Sequence, residues 1–389
     1  MNNTYNSTKS RLAKQSGLTL VEVMIAITIS LVMLAGILTI FASSKATYRS
    51  QEASSRLQEN GRYAMNRLAA DFRMAGFSGC NPDVTNHLNP AGNGFSNTLY
   101  DFEAAVGGWE YSTTGPGNTL TDPSLTPTGV ALANWADHEG NALHTSLQNR
   151  VVPGTDVVVT KRIVQDLNIP ISPTGINANQ IGTALSNTGI DQYTILMITE
   201  DCISSDLFQK RNNASGSNLS KGGGSSTNPG PGNRTPTSFP GGQKWSKAYS
   251  ANATLLLPEV AVYFIGVNAD SEPTLFRATY PTSVAAPVYD ELVEGVENMQ
   301  VLYGEDTTAD GIPNRYVPIS LVSDINDVSS VRISLLLRTT NFISSGTNTN
   351  SYLLSGYNAA SATTINPVDD RRNRQVFSTT IKLRNRGLK

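Results

Sequence analysis

The residues of this chain best placed to do chemistry lie between positions 17 and 22. Gly17 and Leu18 meet at a peptide bond, and Glu22 follows four residues after Leu18. Cleavage after Gly17 would free the α-amino group of Leu18, a cation within reach of a Glu22 carboxylate, its own or a neighbour's. The pairing matters because Glu22 stands inside an apolar run. A carboxylate left unpaired in lipid costs about 2.5–3.5 kcal/mol on insertion scales.

Elsewhere the candidate constellations are weaker. His138, Glu139 and His144 evoke a zinc protease, but that chemistry needs two histidines four apart on one helical face, and here they are six apart beside Gly140 and Asn141. Gly222, Gly223 and Gly224 are not followed by the Gly-Lys-Ser/Thr of a phosphate loop. Glu305, Asp306, Asp310 and Asn314 place side-chain oxygens around Gly311, and Asp306, Asp310 and Asn314 make a weak calcium candidate. The spacing is not that of an EF-hand, and a solvated acidic turn is the simpler expectation. The two cysteines, Cys80 and Cys202, predict a disulfide in an exported domain, the alternative being two free buried thiols. Such a bond would stabilise the fold by roughly 4–5 kcal/mol in the chain-entropy model. With three histidines and no nucleophile-elbow pattern, no catalytic group stands out, and no cofactor is expected.

The element that positions residues 17–22 is the apolar run Leu18–Ala42. It has no proline, one glycine (Gly36) and one acid, and it is long enough to span a bilayer. Lys9, Arg11 and Lys14 precede it, which predicts a cytoplasmic N-terminus and an exported remainder. A secretory signal would place its cleavage site after the apolar segment, whereas Gly17 comes before it. Beyond Ala42 the helical pattern continues: Leu57, Ala64, Leu68, Phe72 and Ala75 form one stripe, Glu52 precedes Arg56 by four, and Arg62, Arg67 and Asp71 mark a solvated side. Gly61 interrupts at about 1 kcal/mol, and Gly76 reads as the stop. The expectation is one helix over 18–76, roughly 85 Å long, greasy all round over 18–42 and amphipathic after it. Lipid or a bundle of helices must cover the first half.

The remainder, 77–389, reads as a β-rich head. From Asn81 to Arg150 it is rich in Gly, Asn, Thr and Pro, and Trp109 and Trp135 are expected to be buried. Strands are predicted at 156–164, 192–199, 258–267, 274–280, 291–303, 331–339 and 375–384, in one antiparallel sheet. A low-complexity segment, about 204–253, predicts a mobile loop, and 341–367 another polar loop. Charged residues make up 15% and the net charge is −2; loss of 1–17 removes three bases and no acids. That balance argues against a nucleic-acid partner held by a strongly basic surface.

The stretch from Gly17 to Glu22 and the apolar run after it resemble the class III signal of type IV pilins and pseudopilins. The resemblance implies that a prepilin peptidase cuts between Gly17 and Leu18 and methylates Leu18, and that Glu22 is needed for assembly. Where major pilins commonly carry a helix-bending proline this chain has Thr39. The segments 292–303 and 332–338 and the ending Leu383–Arg386 are similar to PilW-type minor pilins, with related patterns in the J-type minor pseudopilin of type II secretion; Gly79-Cys80 and Asp201-Cys202 resemble that family too. The implied fold is α+β and pilin-like, a long helix packed by its second half on an antiparallel sheet. The implied partners are other minor pilins, the major pilin, a tip adhesin, the prepilin peptidase and the inner-membrane assembly platform. The implied role is initiation or capping of the pilus, with adhesion and twitching motility; the alternatives are a secretion pseudopilin and a membrane-tethered periplasmic binding domain.

Overall fold

The computed structural model describes residues 17, 19–77, 83–177, 179–200, 204–222, 230–234, 245–280, 287–343 and 346–385. The chain divides into two compact units, Met1–Glu52 and Ala53–Lys389, and one helix, Leu20–Arg73, supplies the first and enters the second.

In the first unit the helix has no partner to bury it. Every residue from Leu20 to Arg49 is exposed, and the helix is long and apolar enough to cross a membrane. Its hydroxyls are satisfied locally. Thr28 donates to Met24 O at 2.6 Å, Ser30 to Ala26 O at 2.7 Å and Thr39 to Ala35 O at 2.5 Å. Each would otherwise be an orphan donor in an apolar medium.

In the second unit the expected stripe is the buried one: Leu57, Ala64, Leu68, Phe72 and Ala75 all enter the main core. The glycine that interrupts the stripe has a packing reason, since a Cβ at Gly61 would overlap the ring of Phe377. Regular helix ends at Arg73, and Gly76 (φ 72°) closes the turn by donating its N–H to Lys161 O at 2.8 Å.

The helix packs against strands of two larger sheets rather than one. A nine-stranded sheet runs in the order Val84–Asn86, Ser204–Gln209, Ile195–Glu200, Thr254–Val267, Val157–Asp166, Val106–Tyr111 and Trp135–Ala136, with Pro273–Tyr280 and Val288–Glu294 branching from Thr254–Val267. A four-stranded sheet orders Arg315–Val317, Val296–Glu305, Val328–Arg338 and Arg374–Lys382. Two three-stranded sheets complete the head, and two pairings, Val84–Asn86 with Ser204–Gln209 and Thr363–Asn366 with Thr119–Thr121, are parallel.

The single strand expected over 291–303 is two. Gly295 (φ 83°) separates Val288–Glu294, in the nine-stranded sheet, from Val296–Glu305, in the four-stranded one. Its N–H donates to Pro273 O at 2.8 Å, and its carbonyl accepts from Arg338 N at 2.7 Å. A Cβ there would lie 2.6 Å from Arg338 O, so both conformation and contact require glycine. All ten residues of Val296–Glu305 are buried.

The two stretches expected to be loops, 204–253 and 341–367, hold strands, as does 81–150. Within 204–253, Ser204–Gln209 and Asn218–Ser220 are strands, while Trp245 and Tyr249 are buried with Phe208 and Leu255. Average composition hid these few aromatic anchors among Gly, Ser and Asn. Within 81–150, Val106–Tyr111 joins the nine-stranded sheet beside Val157–Asp166, and Trp109 and Trp135 are both buried. Gly107 and Gly108 lower strand propensity, but a Cβ at Gly108 would overlap the Tyr303 hydroxyl, which donates to Gly107 O at 2.9 Å, and one at Gly107 would press on Thr98. The segment 341–367 likewise contains Tyr352–Leu354 and Thr363–Asn366.

Gly61→Leu should lower the midpoint of thermal unfolding by an amount equivalent to about 2 kcal/mol, the usual cost of overpacking. Adding Phe377→Ala should restore part of that loss. An unchanged midpoint in Gly61→Leu would show that the helix does not lie this close to the sheet.

Candidate functional site

The site indicated by residues 17–22 sits at the start of the exposed helix. Gly17 is exposed, with nothing within 4 Å of where a Cβ would be. Leu18 lies outside the described residues. Thr19 and Glu22 form a reciprocal cap: Thr19 N and Oγ1 each donate to Glu22 Oε2 at 2.9 Å, and Glu22 N donates to Thr19 Oγ1 at 3.3 Å. Two donors at a helix start that has no preceding turn are thereby satisfied. Sequence reasoning assigned Glu22 to charge pairing and missed this role, although Thr-x-x-Glu ahead of an apolar run is the signal for it. Both bonds land on Oε2, so Oε1 keeps its acceptor capacity for a cation. The carboxylate therefore starts the helix and carries a charge at one end of an apolar rod.

The far end of the helix is held by charge as well as by its stripe. Asp71, expected on the solvated side, is 4% exposed. Its carboxylate accepts from Arg162 Nη1 at 3.3 Å, from Arg277 Nε at 3.2 Å and from the Tyr263 hydroxyl, and Arg67 lies 3.4 Å away. Glu259 bridges the two strand arginines, 2.8 Å from each. Burial, with the Asp71 charge beside it, pushes the Tyr263 phenol well above its ordinary range, so it remains a donor. The fault in the expectation is instructive, because helical spacing places Asp71 at the edge of the stripe and only distant arginines decide that it goes inside.

Among the described residues the other candidates make local structural bonds. His138 Nε2 is 3.9 Å from Glu139, whereas His144 caps a separate short turn by accepting from Ser146 N at 3.4 Å. Among the described residues no group of three or more His, Cys, Asp or Glu side chains could hold a metal ion. In the acidic turn, Asp306 accepts from the backbone of Thr308 at 3.1 Å, Asp310 at 3.3 Å and Gly311 at 2.6 Å, and Asn314 Oδ1 accepts from Thr307 N at 2.7 Å. These oxygens already serve the turn itself. Asp310 Oδ1 likewise accepts from Ile312 N at 2.9 Å. Cys80, Cys202 and Gly223–Ser226 lie outside the described residues.

One buried polar cluster had no signal in sequence. His87 and Asp206, 1% and 0% exposed, are hydrogen-bonded through Nε2, while Lys221 Nζ donates to Nδ1 at 3.0 Å and lies over the Trp245 ring. Ser246 Oγ donates to Asp206 at 2.7 Å, and Tyr249 donates to the same carboxylate. The serine faces the carboxylate and not the imidazole, so nothing here deprotonates it for attack. The cluster instead ties residue 87, the strand Ser204–Gln209 and residues 245–249 together. Burial lowers the His87 pKa and brings Lys221 down to about 8.

A model of the prokaryotic N-terminal methylation motif matches residues 12–38, which include the cap and most of the apolar run. A model of the type IV pilus-assembly protein W matches residues 262–385, which include the Gly295 junction and the four-stranded sheet. No curated protein and no solved structure matches the chain. Helix and head together define the class: this is a type IV pilin, anchored to the membrane by its N-terminal helix. Residues 262–385 are similar to the type IV pilus-assembly protein W, and together with the N-terminal motif they support the role of a minor pilin in type IV pilus assembly.

The His87 cluster predicts a pH dependence. Because the folded pKa is depressed, the unfolded chain binds the extra proton first, and stability falls as pH drops below the unfolded value of about 6.5. Denaturant titrations between pH 7 and 5 should show that His87→Gln, which keeps a donor for Asp206 but cannot titrate, reduces this slope by up to one proton. That is about 1.4 kcal/mol per pH unit. Equal slopes in the two proteins would remove His87 from the account.

Proposed function

We propose that this minor pilin acts in the complex that initiates or caps the pilus, and so supports surface adhesion and twitching motility. The observation that carries the reading is the apolar helix, exposed at every residue from Leu20 to Arg49 and capped by Glu22. A surface of that kind is stable only in lipid or against similar helices. In this reading the precursor lies in the inner membrane with Lys9, Arg11 and Lys14 in the cytoplasm and the head in the periplasm. Prepilin peptidase cuts between Gly17 and Leu18 and methylates Leu18. Glu22 then pairs with an N-terminal amine as the subunit leaves lipid for the bundle. Its partners are other minor pilins, the major pilin, a tip adhesin and the assembly platform. The head works as a structural part and not as an enzyme, and Cys80 and Cys202 form a disulfide after export.

Deletion separates this role from its neighbours. Loss of surface pili and twitching is the expected phenotype. Loss of exoprotein release with normal pili would place the chain in a secretion pseudopilus, and normal piliation and secretion together would leave a tethered binding domain. Gly17→Phe should retain the leader, seen as a higher intact mass by mass spectrometry. Glu22→Ala should be processed normally yet appear in sheared pili at much reduced level, because the charge in lipid loses its anionic partner. Full incorporation of that variant would rule out the pairing.

A further inference from the structure

On the head, away from the helix stripe, residues 90–97 and 132–145 wall an open cleft of about 560 Å³, within the size range of small-ligand sites. Both walls are closely packed. Gly92 packs on the backbone of Pro231 and Gly230 on that of Asn93 so closely that neither has room for a Cβ. Opposite them, the Asp137 carboxylate, 1% exposed, accepts from the Thr98 hydroxyl at 2.6 Å, Glu139 N at 3.0 Å and Asn141 N at 2.8 Å.

What these walls present is one fixed carboxylate among neutral groups. Glu139, 42% exposed, accepts from Asn97 Nδ2 at 3.0 Å and from Asn141 Nδ2 at 3.0 Å. The two amides orient it and bring a further acceptor each to the rim. The His144 ring is held by Ser146 N on Nδ1 and by Gly94 O, 3.3 Å from Nε2. Burial lowers its pKa, which favours the neutral ring. Phe95 and Leu132, both half-buried, supply apolar surface. Among the described residues no Lys or Arg lines the cleft, which disfavours phosphate, sulfate or an acidic peptide. Its polar rim is equally unsuited to an acyl chain.

We propose that this cleft binds a neutral sugar ring, with Glu139, Asn97 and Asn141 taking vicinal hydroxyls and Phe95 the C–H face. A ring hydroxyl donates to the carboxylate or to an amide oxygen and accepts from the remaining Asn97 N–H, both N–H groups of Asn141 being spent on Glu139 at 3.0 Å and Asp137 at 3.2 Å. The proposal goes beyond pilus assembly and does not depend on it, since its site shares no residue with the helix.

The test is saturation-transfer NMR on the full-length protein in a detergent without a sugar headgroup. The probes are methyl glucoside, methyl galactoside, methyl mannoside and N-acetylglucosamine, with inorganic phosphate as competitor. Transfer to the ring protons of at least one sugar is expected. Affinity should fall about tenfold or more in Glu139→Ala and in Asn97→Ala, the loss of a charged hydrogen bond. Tyr357→Ala, on a side chain 87% exposed elsewhere on the head, should bind as the parent does. Should Glu139→Ala melt early, Glu139→Gln removes the charge and keeps the shape of the turn. Absence of transfer from all four sugars, binding undiminished in the Glu139 and Asn97 variants, or displacement by phosphate would overturn the proposal, and pilus assembly could remain normal in each case.

Discussion

A carboxylate buried in the last turns of the long helix fixes how the head is put together. Asp71 is met by Arg162, Arg277 and Tyr263, which stand on three different strands of the nine-stranded sheet. An apolar stripe alone tolerates sliding, because leucine and alanine pack nearly as well one turn along. A charge with two guanidinium groups and a phenol in place does not. Removing one member of a buried set typically costs 3–5 kcal/mol, although the intact set adds little over a well-packed apolar replacement. Its contribution is therefore to position more than to stability. Glu259 completes the arrangement, since without it the two arginines would repel each other across the same carboxylate.

From that fixed point the two larger sheets follow. The stripe from Leu57 to Ala75 shares a core with Tyr263 and Ile265 of the nine-stranded sheet and with Val301, Ile333 and Ile381 of the four-stranded one. The backbone passes from one sheet to the other at Gly295 without a loop, and each neighbouring edge takes one of its hydrogen bonds. The strand that follows is buried along its whole length because the helix and its neighbouring strands leave it no solvent face. A second ionic group, Glu297 with Arg338 and Arg374 at 2.8 and 2.7 Å, supports its beginning.

Much of this was legible in sequence wherever local pattern decides the outcome. The apolar run, the stripe, the stop at Gly76 and most strands of the C-terminal half depend on spacing alone. The parts that were not legible depend on distant partners. Asp71 reads as solvated because the groups that bury it lie 91, 192 and 206 residues along the chain. Residues 291–303 read as one strand because a positive φ at Gly295 leaves no trace in a hydrophobic pattern. Gly108 reads as loop because the tyrosine that needs its space is Tyr303, far along the chain. At the candidate site, Glu22 was visible as a misplaced charge, whereas its bonds to Thr19 required attention to the helix start as well as to lipid.

The three hydroxyls of the apolar run between Leu20 and Ala42 have one more implication. Thr28, Ser30 and Thr39 spend their hydrogens on their own backbone, so the flank of the rod offers neighbours shape and dispersion but few polar instructions. Rods of different sequence can then lie alongside it almost interchangeably, with axial alignment left to the lone charge near one end. Indifference of this sort suits a subunit that must be accepted by other components of the pilus.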